Sequence, residues 1–118
     1  MPPFETHNTA HINPTGTCFR GYLTSDYSNI VRVFGEPTEC DGYKIDAEWV
    51  ICFSDGEIAT IYNWKDGKNY CGDGGLDPED IREWHIGGFS PVVVERITNL
   101  LSDDWESLDY IRQRAILE

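Results

Sequence analysis

Apolar and polar positions alternate most clearly in two stretches, residues 46–53 and 58–65, on either side of Ser-Asp-Gly-Glu. Asp55-Gly56 fits a two-residue turn that needs positive φ at both positions, so the pattern predicts a β-hairpin. The register set by that turn pairs Phe53 with Ile58, Ile51 with Thr60, Trp49 with Tyr62 and Ala47 with Trp64 on an apolar surface. Cys52 then meets Ala59 and Val50 meets Ile61 on the reverse, with Glu48–Asn63 and Asp46–Lys65 further from the turn. Residues 17–23 also read as a strand, with Cys18, Arg20 and Tyr22 on one face and Phe19, Gly21 and Leu23 on the other. Tyr27, Ile30, Val31 and Phe34 form the stripe of a helix over 25–34, capped by Thr24 or Ser25 and stopped by Gly35 and Pro37.

Residues 66–80 are glycine-rich and aperiodic, the pattern of a long surface loop. Residues 81–89 alternate Trp84 and Ile86 against Glu83 and His85, a short strand that Gly87-Gly88 breaks. Ser90-Pro91 opens a helix over 91–102 with Val93, Ile97, Leu100 and Leu101 inward. Asp103 with Glu106 makes a capping box for a last helix over 104–116, in which Trp105, Leu108, Ile111 and Ala115 face inward. Residues 1–15 have no period and read as an extended N-terminal arm. The fold expected is a single α+β domain over 1–118: a short antiparallel sheet built on the 46–65 hairpin, with about three helices covering the Trp49, Tyr62, Trp64 face.

Composition agrees with one folded domain. The chain has 118 residues, 40% hydrophobic and 13% aromatic, enough for one core. Against 21 Asp plus Glu stand 9 Lys plus Arg, a formal charge of −12, which excludes a basic footprint for duplex nucleic acid or an anionic membrane surface. No apolar run approaches the ~20 residues of a bilayer span, and no signal segment is evident, so a soluble, cytoplasmic chain is expected. The four cysteines, Cys18, Cys40, Cys52 and Cys71, contain no C-x-x-C pair and read as reduced thiols without a metal.

The glycine-rich loop lacks the spacing of a phosphate cradle and of an EF-hand. His7, His11 and His85 are the only histidines. Two lie in the arm, and His85 sits next to Trp84 and Glu83, but neither Cys52 nor Cys71 lies in a recognisable nucleophile turn, so no enzyme, catalytic residue or cofactor is expected. A small anionic ligand needs only two or three converging donors and an aromatic platform, which the net charge does not forbid.

F-G-E-P at 34–37, E-W-V-I-C-F-S-D-G at 48–56, A-T-I-Y-N-W-K at 59–65 and E-W-H-I-G-G at 83–88 resemble, over about residues 17–100, a family of small phage- and prophage-encoded proteins that includes the Thoeris anti-defence sponges. That resemblance implies a cytoplasmic phage protein in the infected bacterial cell that binds a cyclic ADP-ribose-type immune signal and sequesters it without cleavage. It also implies a homodimer or higher homo-oligomer, no metal, and a ligand held by aromatic rings and arginines. The residues proposed for ligand contact are Trp84 and Phe89 as stacking platforms, with His85 beside them. Arg112 and Arg114 serve as phosphate clamps, and Asn63 and Lys65 as polar donors at the strand end.

Two further expectations follow. Four tryptophans and a second sheet face that is partly apolar favour self-association. The alternative function is an acidic protein-binding inhibitor, an anti-CRISPR-like mimic of nucleic acid, supported by acidic clusters within 36–57, 66–83 and 103–109.

Overall fold

The computed structural model describes residues 4–38 and 44–102. They form an α+β fold. Five strands, β1 (Phe4–Thr6), β2 (Cys18–Thr24), β3 (Glu48–Phe53), β4 (Ile58–Tyr62) and β5 (Glu83–Gly88), make one antiparallel sheet in the order β1-β3-β4-β5-β2. Helices α1 (Tyr27–Phe34) and α3 (Val92–Ser102) lie on one face, while the short α2 (Lys68–Cys71) and two 3₁₀ turns interrupt the segment expected to be a plain loop. The last helix, expected over 104–116, lies outside the described residues.

The hairpin forms, but one residue out of the expected register. Phe53 N–H donates to the Glu57 carbonyl at 2.8 Å and Gly56 N–H to the Phe53 carbonyl at 2.9 Å, so the connection is the three residues Ser54-Asp55-Gly56. Only Gly56 has positive φ (96°), so Asp55 escapes the strain a two-residue turn imposes on it. The Asp55 carboxylate instead takes Arg96 of α3 in a two-point pair at 2.9 and 2.6 Å. Trp49 therefore opposes Ile61 and Ile51 opposes Ala59, with Glu48–Tyr62 and Val50–Thr60 in the pairs between. A one-residue slip turns a whole strand over. Ala59 and Ile61 enter the core, and Tyr62 leaves the face where the sequence pattern puts it.

The core side is built around two buried indoles. Trp49 and Trp84 meet edge to face at 5.4 Å, and Tyr27 of α1 packs on both. Each indole N–H finds a backbone carbonyl beside α1: Trp84 Nε1 donates to Ser25 at 3.0 Å, just before the helix, and Trp49 Nε1 to Gly35 at 2.7 Å, just after it. The helix begins at Tyr27, two residues later than the expected 25–34, with Asp26 at the N-cap in place of Thr24 or Ser25. Ile30 and Phe34 of α1 and Val93, Ile97 and Leu101 of α3 complete the core. Gly87 and Gly88 do not break β5 but pair within it on both sides. A side chain at Gly88 would meet Val93 Cγ2 at 2.6 Å, so its absence lets α3 lie close to the sheet.

Part of the segment read as an arm is also sheet. Residues 4–6 pair with β3, and His7 extends the contact: its N–H donates to the Val50 carbonyl at 3.0 Å, and its ring Nδ1 accepts from Val50 N–H at 3.3 Å. With Nδ1 accepting, Nε2 carries the proton and donates to the Glu36 carbonyl at 2.9 Å.

Candidate functional site

The sheet face away from α1 and α3 carries a second set of aromatic rings. Glu48↔Tyr62, Tyr62↔His85 and Tyr22↔His85 are register partners, so four side chains line up across β3, β4, β5 and β2. Phe19 joins them because of a bulge. The ladder shifts between Phe19 and Gly21, so Arg20 is the extra residue and Phe19, three positions from Tyr22, shares its face. This corrects the simple alternation expected for β2. The Arg20 guanidinium holds the bulge in place, with Nε on the Gly88 carbonyl at 3.0 Å and Nη2 on the Phe89 carbonyl at 2.8 Å.

Trp64, two residues past Tyr62, completes the group. The His85 ring is the hub: Phe19 and Tyr22 each lie 5.1 Å away and Tyr62 5.5 Å, all edge to face, with Trp64 stacked at 6.5 Å. Phe19, Tyr22, Tyr62, Trp64 and His85 line a shallow cavity of about 340 Å³. Tyr22 is 67% exposed and Trp64 41%, so the rings present area to solvent that the core indoles do not.

Burial lowers the His85 pKa from its ordinary value, with the Asp66 charge opposing the shift, so the imidazole is neutral at pH 7. Burial first, and the Glu48 charge second, raise the Tyr62 hydroxyl, which stays protonated. Positive charge stands at the Trp64 end: Lys44 Nζ is 5.5 Å and Lys65 Nζ 5.8 Å from the ring centroid, and Lys65 Nζ is also 5.5 Å from the Tyr70 ring. Lys65 takes the left-handed conformation (φ 66°) and donates its N–H to the Lys44 carbonyl at 2.7 Å, which ties the two lysine segments together.

Asn63 proves to be a scaffold residue, not a donor to ligand. It is 0% exposed; Oδ1 accepts Asp46 N–H at 2.6 Å and Ala47 N–H at 3.1 Å, and Nδ2 donates to Asp46 Oδ1 at 3.1 Å and Asp66 Oδ1 at 2.9 Å. This uses the amide's full bonding capacity and fixes residues 44–47 against the end of β4. Asp46 is occupied by Asn63 and by Asn69 N–H, and packs against Gly67, so the expected pairing with Lys65 gives way to Lys65 on the rings.

Of the other residues singled out in the sequence, Trp84 is excluded as a platform because it is 0% exposed in the core. Phe89 is exposed but lies against the Gly16 turn and does not line the cavity. His85 and Lys65 are brought together with the cluster, and Arg112 and Arg114 lie outside the described residues. Phe19, Tyr22, Tyr62, Trp64 and Lys44 were missed. The pattern Ile58, Thr60, Tyr62, Trp64 was the signal for β4, but large residues on both faces let it be assigned to the core.

A larger groove of about 540 Å³ runs past the start of α1, but its Arg82 is held by Asp26 at 2.8 Å. Among the described residues Cys18, Cys52 and Cys71 are unpaired thiols, no three His, Cys, Asp or Glu side chains converge to hold a metal ion, and no helix is long and apolar enough to cross a membrane. Comparison of the chain with family models, characterised proteins and solved structures gives no match.

Proposed function

We propose that this chain is a binding protein that takes a nucleotide-type ligand on the open face of its sheet and holds it without turning it over. The observation that carries this reading is the ring surface of Phe19, Tyr22, Tyr62, Trp64 and His85 with two ammonium groups at its Trp64 end. Half-exposed rings stack on any base, each worth about 1–3 kcal/mol, and Lys44 and Lys65 attract the phosphates. In a chain of charge −12 these two ammonium groups are the cations beside the rings, on a face that also carries Glu48.

With the resemblance in the sequence, the ligand is a cyclic ADP-ribose-type signal and the role is phage counter-defence by sequestration in the bacterial cytoplasm.

A thermal-shift screen of cyclic ADP-ribose isomers and cyclic di- and trinucleotides tests the reading. A ligand at a hundredfold excess over Kd stabilises by about 2.7 kcal/mol, a shift of several degrees. At least one cyclic ADP-ribose isomer is expected to give that shift and to be recovered unchanged after heat denaturation. Replacing Tyr22 and Trp64 together by Ala is expected to abolish it. If every cyclic nucleotide is inert at millimolar concentration, the proposal fails. Salt separates it from the acidic-inhibitor reading, because binding through surface charge collapses as salt rises while stacking persists.

A further inference from the structure

The two edges of the sheet differ. β1 offers three residues, one of them Glu5, whereas β2 runs for seven with no acidic residue. Ser25 N–H donates to the Arg82 carbonyl at 2.9 Å just beyond the strand. Alternation in an antiparallel ladder then turns the backbone groups of Leu23 and Gly21 toward β5 and those of Tyr22 and Thr24 away from it. No backbone group of another described residue bonds to β2 from its outer side. α3 crosses β2 on the core face, where Gly21 faces Val94, so among the described residues it does not cover the edge.

We infer that β2 pairs antiparallel with β2 of a second copy about a twofold axis, joining two five-stranded sheets into one. The strand suits a copy of itself because its one charge, Arg20, is spent on carbonyls of its own chain. In a molecule of charge −12 this is a strip where two copies meet without opposing acidic side chains. Centred on Tyr22, the pairing satisfies the outward groups of Tyr22, brings the outward Thr24 N–H to the strand of the other copy opposite Arg20, and sets the two Tyr22 rings side by side on the open face. Each copy's ring surface is thereby extended by Phe19 and Tyr22 of the other. A strand pair of this length with two rings per copy belongs with interfaces below about 1,200 Å², so the dimer dissociates at micromolar concentration.

The inference stands apart from the ligand proposal, because its test uses the full chain without ligand. Sedimentation equilibrium is expected to give a dimer at about 100 µM and a monomer on dilution. Thr24→Pro deletes an outward N–H without removing a β2–β5 hydrogen bond, so it is expected to be monomeric with an unchanged circular dichroism spectrum. Amide exchange on the wild-type chain gives a reading independent of that variant's folding. Protection of Tyr22 and Thr24 amides rises with protein concentration, whereas Gly21 and Leu23 stay protected throughout. A wild-type monomer at about 100 µM, a Thr24→Pro dimer, or Tyr22 and Thr24 exchange independent of concentration overturns the inference.

Discussion

The two faces of the sheet both carry aromatic clusters, yet they solve different problems. On the helix side Trp49 and Trp84 are fully buried, and each polar N–H is spent on a carbonyl at one end of α1. On the open side Tyr22 and Trp64 keep much of their area in water. A ring whose polar atom is matched within the chain and whose surface is enclosed contributes to folding. One left half-exposed contributes area to whatever arrives next.

Truncation separates the faces most sharply. Trp84→Ala is expected to cost about 3–5 kcal/mol in urea unfolding, because it empties a core site and strips the Ser25 carbonyl of its donor. Trp64→Ala is expected to cost under about 1 kcal/mol while weakening ligand binding at least fivefold. Equal losses of stability would erase the distinction. Asn63→Ala lies between: it leaves the Asp46 and Ala47 N–H groups without their acceptor, a loss on the order of 2 kcal/mol. It is also expected to weaken binding, because Lys44 is no longer fixed beside Trp64; calorimetry that finds unchanged affinity would separate the Asn63 network from the site.

The two faces also respond differently to protons. The His85 pKa is lowered by burial among the rings, so its stabilising contribution is fully present above the ordinary histidine value near 6.5. It is lost as pH falls through the lower folded-state value. His85→Phe is expected to flatten stability against pH in that window; an unchanged slope removes His85 as its source. The smallest effect lies at the hairpin turn, where the hydrogen bonds from Arg96 hold the Asp55 carboxyl at about 2 against an ordinary 3.8. That contribution is complete above the ordinary value and disappears as pH falls toward 2. Asp55→Asn is expected to reduce the pH dependence of unfolding there, measured at low salt where an exposed pair is least screened.

Element type was largely legible from local pattern. The hairpin, the stripe of α1, the strand around Trp84 and the helix after Pro91 each depend on periodicities and stop signals a few residues long. Part of the ring surface could be read too, since His85 and Lys65 were already candidates. Tyr22 and Tyr62 could not be assigned to one surface, because that depended on a single residue of register and a single bulge.

The α+β class, the hairpin and the aromatic content arise from near neighbours and from composition, so the order of residues along the chain is enough to give them. Which rings face the core depends instead on contacts between distant elements. Asp55-Gly56 is compatible with a two- or a three-residue connection, and Arg96 of α3, forty-one positions away, takes the Asp55 carboxylate in the longer one. Arg20 likewise secures its bulge on the carbonyls of Gly88 and Phe89, partners that no local pattern names. Side chains in a strand alternate with a period of two, so each of these one-residue choices moves a whole set of rings from one face to the other. The contacts that settle the choice exist only once distant elements have met.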